Sequence, residues 1–166
     1  MKRAALKITT QGDRELVMTR EFDAPRKLVY DAHTKPELVK RWLLGPDGWS
    51  MPICEMDVRV GGKYRWVWRN DAKGTEMGMG GVYREVKAPE RLVATERFDE
   101  AWYAGECVNT MVLTESSGKT TLTLTMLFES REARDMAVKS GMEHGIALGY
   151  DRLDDIFAAQ LAGGAK

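Results

Sequence analysis

Cysteine is scarce in this chain: Cys54 and Cys107 are the only two among 166 residues, far apart and in no CxxC pattern. Two such residues cannot make a disulfide framework, and they cannot close a zinc site unaided. They read as reduced, buried, methionine-like residues of a cytosolic protein. Histidine is equally rare, with only His33 and His144, and no metal-ligand spacing, phosphate loop or nucleophile elbow occurs. No metal and no cofactor are therefore expected. An excess of positive charge is also missing, since Lys plus Arg and Asp plus Glu number 25 each. That balance speaks against nucleic acid, whose binders neutralise phosphates with basic residues. No stretch approaches the ~18 consecutive apolar residues of a membrane span. The basic start Met1-Lys2-Arg3 runs into Lys7, Thr9, Thr10, Gln11 and Asp13 rather than an apolar segment, so no signal peptide is predicted. The expectation is a cytoplasmic protein with no membrane partner.

What is present suits one domain, 1–166, with its core at about 15–162. A chain this long buries roughly 70% of the surface of its unfolded form, enough for a core without metal or crosslink. A first strand is predicted around Leu16–Phe22. Asp23 is a candidate helix N-cap and Pro25 suits a first helical turn. Two short helices follow, one over Lys27–Ala32 and one over Glu37–Leu43, separated at Lys35-Pro36 because a residue before proline is pushed out of helical geometry. Gly45-Pro46-Asp47-Gly48 ends the second.

The middle of the chain reads almost wholly as strand. In 53–60, Cys54, Met56, Val58 and Val60 alternate with Glu55, Asp57 and Arg59. Gly61-Gly62 predicts a tight turn into Lys63–Arg69, where Tyr64, Trp66 and Trp68 alternate with charged residues. Further strands are predicted around Met77–Val86, Arg91–Phe98, Cys107–Thr114 and Thr120–Phe128. Short connections make consecutive strands antiparallel neighbours. The last segment, about Arg131 to Leu161, predicts one long helix capped by Ser130, with Met142, Ile146, Tyr150, Leu153, Phe157 and Leu161 as its apolar stripe.

The predicted class is therefore α+β: a curved antiparallel sheet of six to seven strands around a long C-terminal helix, with two short helices after the first strand. A broad sheet with one long amphipathic helix must curl to bury its apolar face. One helix is too narrow to fill that curl, so a cavity is expected between them.

An ordered set of short motifs carries a family likeness. It comprises Glu21-Phe22-Asp23-Ala24-Pro25 with Val29-Tyr30, Lys35-Pro36-Glu37 with Arg41-Trp42, and 56–64 (MDVRVGGKY). Pro89-Glu90-Arg91-Leu92-Val93 follows, and Ser140-Gly141-Met142, Gly145 and 150–153 (YDRL) close the set. In this order, over about 15–160, the chain resembles the Bet v 1/START-related superfamily (SRPBCC), in the branch of the C-terminal domain of the Hsp90 ATPase activator Aha1. The resemblance implies a helix-grip fold with a pocket for hydrophobic or amphipathic small molecules. It does not single out one reaction, because superfamily members include lipid carriers, receptors, cyclases and chaperone-associated domains. The co-chaperone needs a separate N-terminal domain for Hsp90 stimulation, and these 166 residues hold no room for it.

The candidate pocket residues are the aromatic and methionine side chains in strand phase, Trp66, Trp68, Met77, Met79, Phe98, Met111 and Met126. Trp42, Trp49, Trp102 and Phe128 join them, and Met142, Gly145, Ile146 and Tyr150 come from the last helix. Apolar walls with few polar anchors are the usual composition of ligand pockets, although each such residue also suits plain core packing. Gly141, Gly145 and Gly149 recur every four residues, so either close packing or room for a guest should justify them. His144 could meet Glu96 or Glu106 as an acid/base pair, but no convincing catalytic constellation emerges. The expected function is binding of a lipid-like or aromatic molecule. The alternatives are a cyclase- or hydrolase-like enzyme, or a protein-interaction module with a chaperone as partner.

Overall fold

Period-two alternation builds most of this molecule, because successive side chains of a strand point to opposite faces. The computed structural model describes residues 4–100, 103 and 105–164. Its strands are β1 (Lys7–Gln11), β2 (Glu15–Phe22), β3 (Trp49–Met56), β4 (Lys63–Asn70), β5 (Glu76–Lys87), β6 (Arg91–Phe98), β7 (Cys107–Ser116) and β8 (Lys119–Leu127). The helices are α1 (Arg26–Thr34), α2 (Pro36–Trp42), α3 (Arg131–Lys139) and α4 (Met142–Gly164). The eight strands form one curved antiparallel sheet in the order β1–β2–β8–β7–β6–β5–β4–β3. This is the expected helix-grip architecture with one strand more than predicted.

The extra strand is β1. Only Ile8 of its five residues is even partly buried, so it has no apolar alternation to announce it. It forms because the backbone of β2 offers a ladder, Lys7 opposite Thr19 through Gln11 opposite Glu15. Pairing with a neighbour, not its own pattern, makes it a strand.

β3 is displaced from the predicted 53–60. It starts at Trp49 and ends at Met56, after which Asp57 N–H donates to Lys63 O, Arg59 N–H to Asp57 O and Gly62 N–H to Arg59 O. These bonds turn 57–62 into a loop, so Val58 and Val60 leave the ladder and Val60 is 69% exposed. The alternation in 53–60 thus outlasts its strand. Pro52 and a register shift between Ser50 and Ile53 are tolerated because β3 lies at the sheet edge.

The break at Lys35-Pro36 occurs as expected, with Lys35 extended (φ −103°, ψ 116°) and Pro36 opening α2. Asp23 does not cap α1; Pro25 takes the cap position and no side chain accepts there. Ser130 does cap α3, its Oγ accepting from Ala133 N–H at 3.0 Å. The single C-terminal helix is in fact two. Gly141 has φ +75°, a left-handed conformation that glycine adopts without the steric cost of a Cβ. The chain therefore stops after Lys139 and restarts at Met142.

α4 packs on the sheet through Tyr150, Leu153 and Phe157, all buried, whereas Leu161 is exposed. Phe22 meets Tyr150 and Phe157 edge-on, at 5.4 and 5.6 Å between ring centroids. Each such buried aromatic contributes about 1.5–3 kcal/mol by leaving water. One charge sits among them. Arg20 occupies the buried row of β2 with Leu16, Met18 and Phe22 and is 2% exposed. Its Nη2–H donates to Asp154 Oδ2 at 2.7 Å and to Asp151 Oδ1 at 3.4 Å, while Nε–H donates to Ala4 O at 2.8 Å. The guanidinium thereby ties α4 to the sheet.

Candidate functional site

A cavity of about 320 Å³ lies between the concave face of the sheet and helices α1, α2 and α4. Strand periodicity supplies its floor. Leu92, Ala94, Glu96 and Phe98 are alternate residues of β6 and all line it, as do Tyr64, Trp66 and Trp68 of β4 and Met77, Met79 and Tyr83 of β5. In register, Tyr64 lies opposite Gly81, Trp66 opposite Met79 and Trp68 opposite Met77. Gly81 has the cavity-facing phase but no side chain, and Tyr64 covers it. An added Cβ would sit 1.9 Å from Thr95 O and 2.8 Å from Tyr64 Cε1. Tyr64 Oη–H crosses over this gap to donate to Thr95 O.

Of the predicted pocket residues, Trp42, Trp66, Trp68, Met77, Met79, Phe98, Met111, Met126, Met142, Gly145, Ile146 and Tyr150 all border this cavity. Trp49 lies instead in a smaller adjoining groove with Leu44, Gly45, Pro46, Trp68 and Met77. Phe128 belongs to a separate core cluster with Leu16, Met18 and Tyr103. Trp102 lies outside the described residues. The glycine series divides: Gly141 is the helix break, and only Gly145 and Gly149 are within α4. A Cβ on Gly149 would stand 3.1 Å from Trp42 O, and one on Gly145 would stand 3.5 Å from Gly45 Cα. Gly149 thus serves close approach to α2, not to the sheet, whereas Gly145 leaves room for a methyl beside the loop after α2; both border the cavity.

The proposed meeting of His144 with Glu96 or Glu106 does not occur. The His144 side chain is 86% exposed with Glu143 as its carboxylate neighbour at 3.9 Å, and Glu106 accepts from Arg84. The polar groups that do border the cavity are different ones. His33 Nδ1–H donates to Val29 O at 2.7 Å, which leaves Nε2 as an acceptor because a carbonyl can only accept. Its ring packs on Trp42 at 4.9 Å and Tyr150 at 6.5 Å. Burial lowers its pKa to about 4, so it is neutral at pH 7.

Glu96 is 8% exposed. Tyr103 Oη–H donates to its Oε2 at 2.6 Å and Asn109 Nδ2–H to its Oε1 at 2.9 Å. Burial pushes its carboxyl above the usual range against the pull of these two donors. Trp66 Nε1–H is buried with no hydrogen-bond partner among the described residues. Sequence reasoning overlooked His33, Tyr64, Tyr83 and Asn109 as wall residues, and it took Glu96 only as a partner for His144. A signal for Glu96 existed: it stands in the apolar phase of β6, between Ala94 and Phe98. His33 gave none, since only the fold of α1 against α2 and α4 encloses it.

Among the described residues no group of three or more His, Cys, Asp or Glu could hold a metal ion, and no helix is long and apolar enough to cross a membrane. No curated protein matches the chain in sequence. Solved structures do. A protein from Rhodobacter sphaeroides is 30% identical with a TM-score of 0.85, the match covering 93% of this chain and 99% of that one. A protein from Chromobacterium violaceum is 26% identical with a TM-score of 0.76, over 87% and 96% of the two chains. A Mycobacterium smegmatis protein shares the fold at 19% identity, with a TM-score of 0.81 over 92% and 96%. The profile of one family matches residues 23–158, from the approach to α1 into the last turns of α4, and so takes in the whole cavity wall. This chain belongs to the Activator of Hsp90 ATPase homolog 1-like protein family.

Proposed function

We propose that this protein binds a hydrophobic or amphipathic small molecule between its sheet and α4. The observation that carries the reading is the cavity itself: about 320 Å³ of space behind a wall of tryptophan, methionine and leucine. That size is at the lower end of ligand pockets, about 300–1,000 Å³, and the composition is theirs. A well-packed core contains few voids much larger than a water molecule. The buried Trp66 N–H supports the same reading, because a guest carrying an acceptor would satisfy a donor that costs about 1–3 kcal/mol unmatched. The methionines of four elements, Met79, Met111, Met126 and Met142, let the wall adapt to guest shape. We place this activity in the cytoplasm, in keeping with two cysteines, Cys54 and Cys107, that are both free thiols.

The test is a titration with an apolar fluorescent probe and a panel of fatty acids and flat aromatics, followed by amide chemical shifts. The expected result is saturable binding that moves the signals of Trp66, Trp68 and residues 142–150. Shifts confined to surface loops at saturation would remove the reading. A general acid/base pair is not needed to explain this wall, since the contacts of Glu96 are Tyr103 and Asn109. An enzyme would require turnover of the bound guest, which the same titration reveals as product by mass spectrometry.

A further inference from the structure

Glu96 occupies a site that apolar packing would fill. Its neighbours in the cavity row of β6 are Leu92, Ala94 and Phe98, an apolar run that a hydrocarbon side chain would continue. Burying a carboxyl in such a place is expensive unless something compensates. Two donors are already aimed at it, Tyr103 Oη–H and Asn109 Nδ2–H. The Asn109 amide is held in that orientation, because Cys107 Sγ–H donates to its Oδ1 at 3.3 Å. One donor on each oxygen is the arrangement that suits an anion.

A counter-cation is what the arrangement lacks. The titratable groups facing Glu96 are Tyr64 from β4, Cys107 from β7, Tyr103 from the segment between β6 and β7, and more distantly Glu106. His33 borders the cavity from α1 and is neutral near pH 7. No Lys or Arg pairs with Glu96 among the described residues, and no Lys or Arg lines the cavity. Beside the carboxyl runs a series of aromatic faces, with Tyr64 to Trp66 at 4.5 Å and Trp66 to Trp68 at 6.2 Å between centroids. A carboxylate next to aromatic faces is complementary to a cation on an apolar body.

We propose that the guest of this cavity is a hydrophobic amine, its ammonium group held by Glu96 and its body laid along Tyr64, Trp66 and Trp68. This rests on the ligand-binding reading above. A carboxylate guest would meet a second carboxyl, and an alcohol would give one hydrogen bond without balancing charge. The amine arrives as ammonium and pairs with the ionised Glu96 carboxylate, whose two oxygens each already accept from a donor, and no covalent bond changes. Affinity for the amine therefore rises with pH as Glu96 ionises, and affinity for a matching carboxylate falls.

The experiment compares three naphthylethyl compounds, the amine, the alcohol and the carboxylate, by calorimetry at pH 7. The amine should bind at least about tenfold tighter than the carboxylate. Glu96→Gln should remove the preference of the site for the amine over the alcohol. Equal affinities in the unaltered protein, or an amine preference that survives Glu96→Gln, would each overturn the inference. The three affinities are measured on the unaltered chain, so the test stands even if the substituted one does not fold. If the apolar probe binds and none of these three does, the amine inference alone falls. If the probe also fails, the ligand-binding reading falls with it.

Discussion

Acid should unfold this protein partly through one histidine. His33 is enclosed by Trp42 and Tyr150, donates through Nδ1 to Val29 O, and titrates at about 4 against an ordinary 6.5. The folded state thus holds its proton more weakly than the unfolded chain. Stability from this group is complete above pH 6.5 and is lost as the pH falls towards 4, because there the unfolded state binds the extra proton. With those two values the loss relative to neutral pH is about 2 kcal/mol at pH 5 and about 3 kcal/mol at pH 4. Glu96 acts in the opposite sense. Its carboxyl is raised, so its contribution is present at low pH and declines once the pH passes the unfolded carboxyl value.

The two are separated by difference. Urea unfolding of the unaltered chain and of His33→Asn, each from pH 8 to pH 4, cancels Glu96 and every other carboxylate when the curves are subtracted. Asparagine keeps an N–H for Val29 O and does not titrate. The unaltered chain should lose about 2 kcal/mol more than the substituted one between pH 8 and pH 5. Parallel curves would show that the enclosed ring is solvated when charged, and the argument from burial would fail.

Other substitutions probe the remaining links. Gly81→Ala puts a methyl 1.9 Å from Thr95 O, which neither strand can yield without parting the ladder. A loss of about 3 kcal/mol is expected, read as a fall of roughly 6–12 °C in Tm; an unchanged melt would mean that Tyr64 and β6 move aside freely. Ala94→Phe projects a ring from β6 into the cavity, so probe affinity should drop at least about tenfold while stability holds within about 1 kcal/mol. Undiminished probe binding would locate the guest elsewhere. Arg20→Met removes the guanidinium that joins β2 to Asp151 and Asp154. It should cost about 2–3 kcal/mol in chemical denaturation, less than the breaking of a fully buried pair because both aspartates keep contact with water. A neutral result would show that hydrophobic contacts alone seat α4.

The strands with apolar alternation were legible because each has one face in the core and one towards solvent, which writes a period of two into the residues themselves. β4, with Tyr64, Trp66 and Trp68 on one face, is the clearest instance. The misread elements are those whose conformation depends on a neighbour. β1 borrows its geometry from β2, and Val58 and Val60 alternate after their strand has ended in a loop. The split of α3 from α4 was marked by Gly141, but a glycine repeating with Gly145 and Gly149 reads equally as a helix face. Only φ +75° distinguishes the two.

The amino-acid order alone determined the α+β class, the pairing of short-linked neighbours and the aromatic and methionine supply of the cavity, since periodicity and turn chemistry are local properties. Tertiary structure decided which polar groups the cavity holds. Glu96 meets Tyr103 and Asn109, and His33 is shut in by Trp42 and Tyr150, only when separate strands and helices converge. Burial and charge balance are sums over neighbours distant in sequence, and no local pattern encodes them.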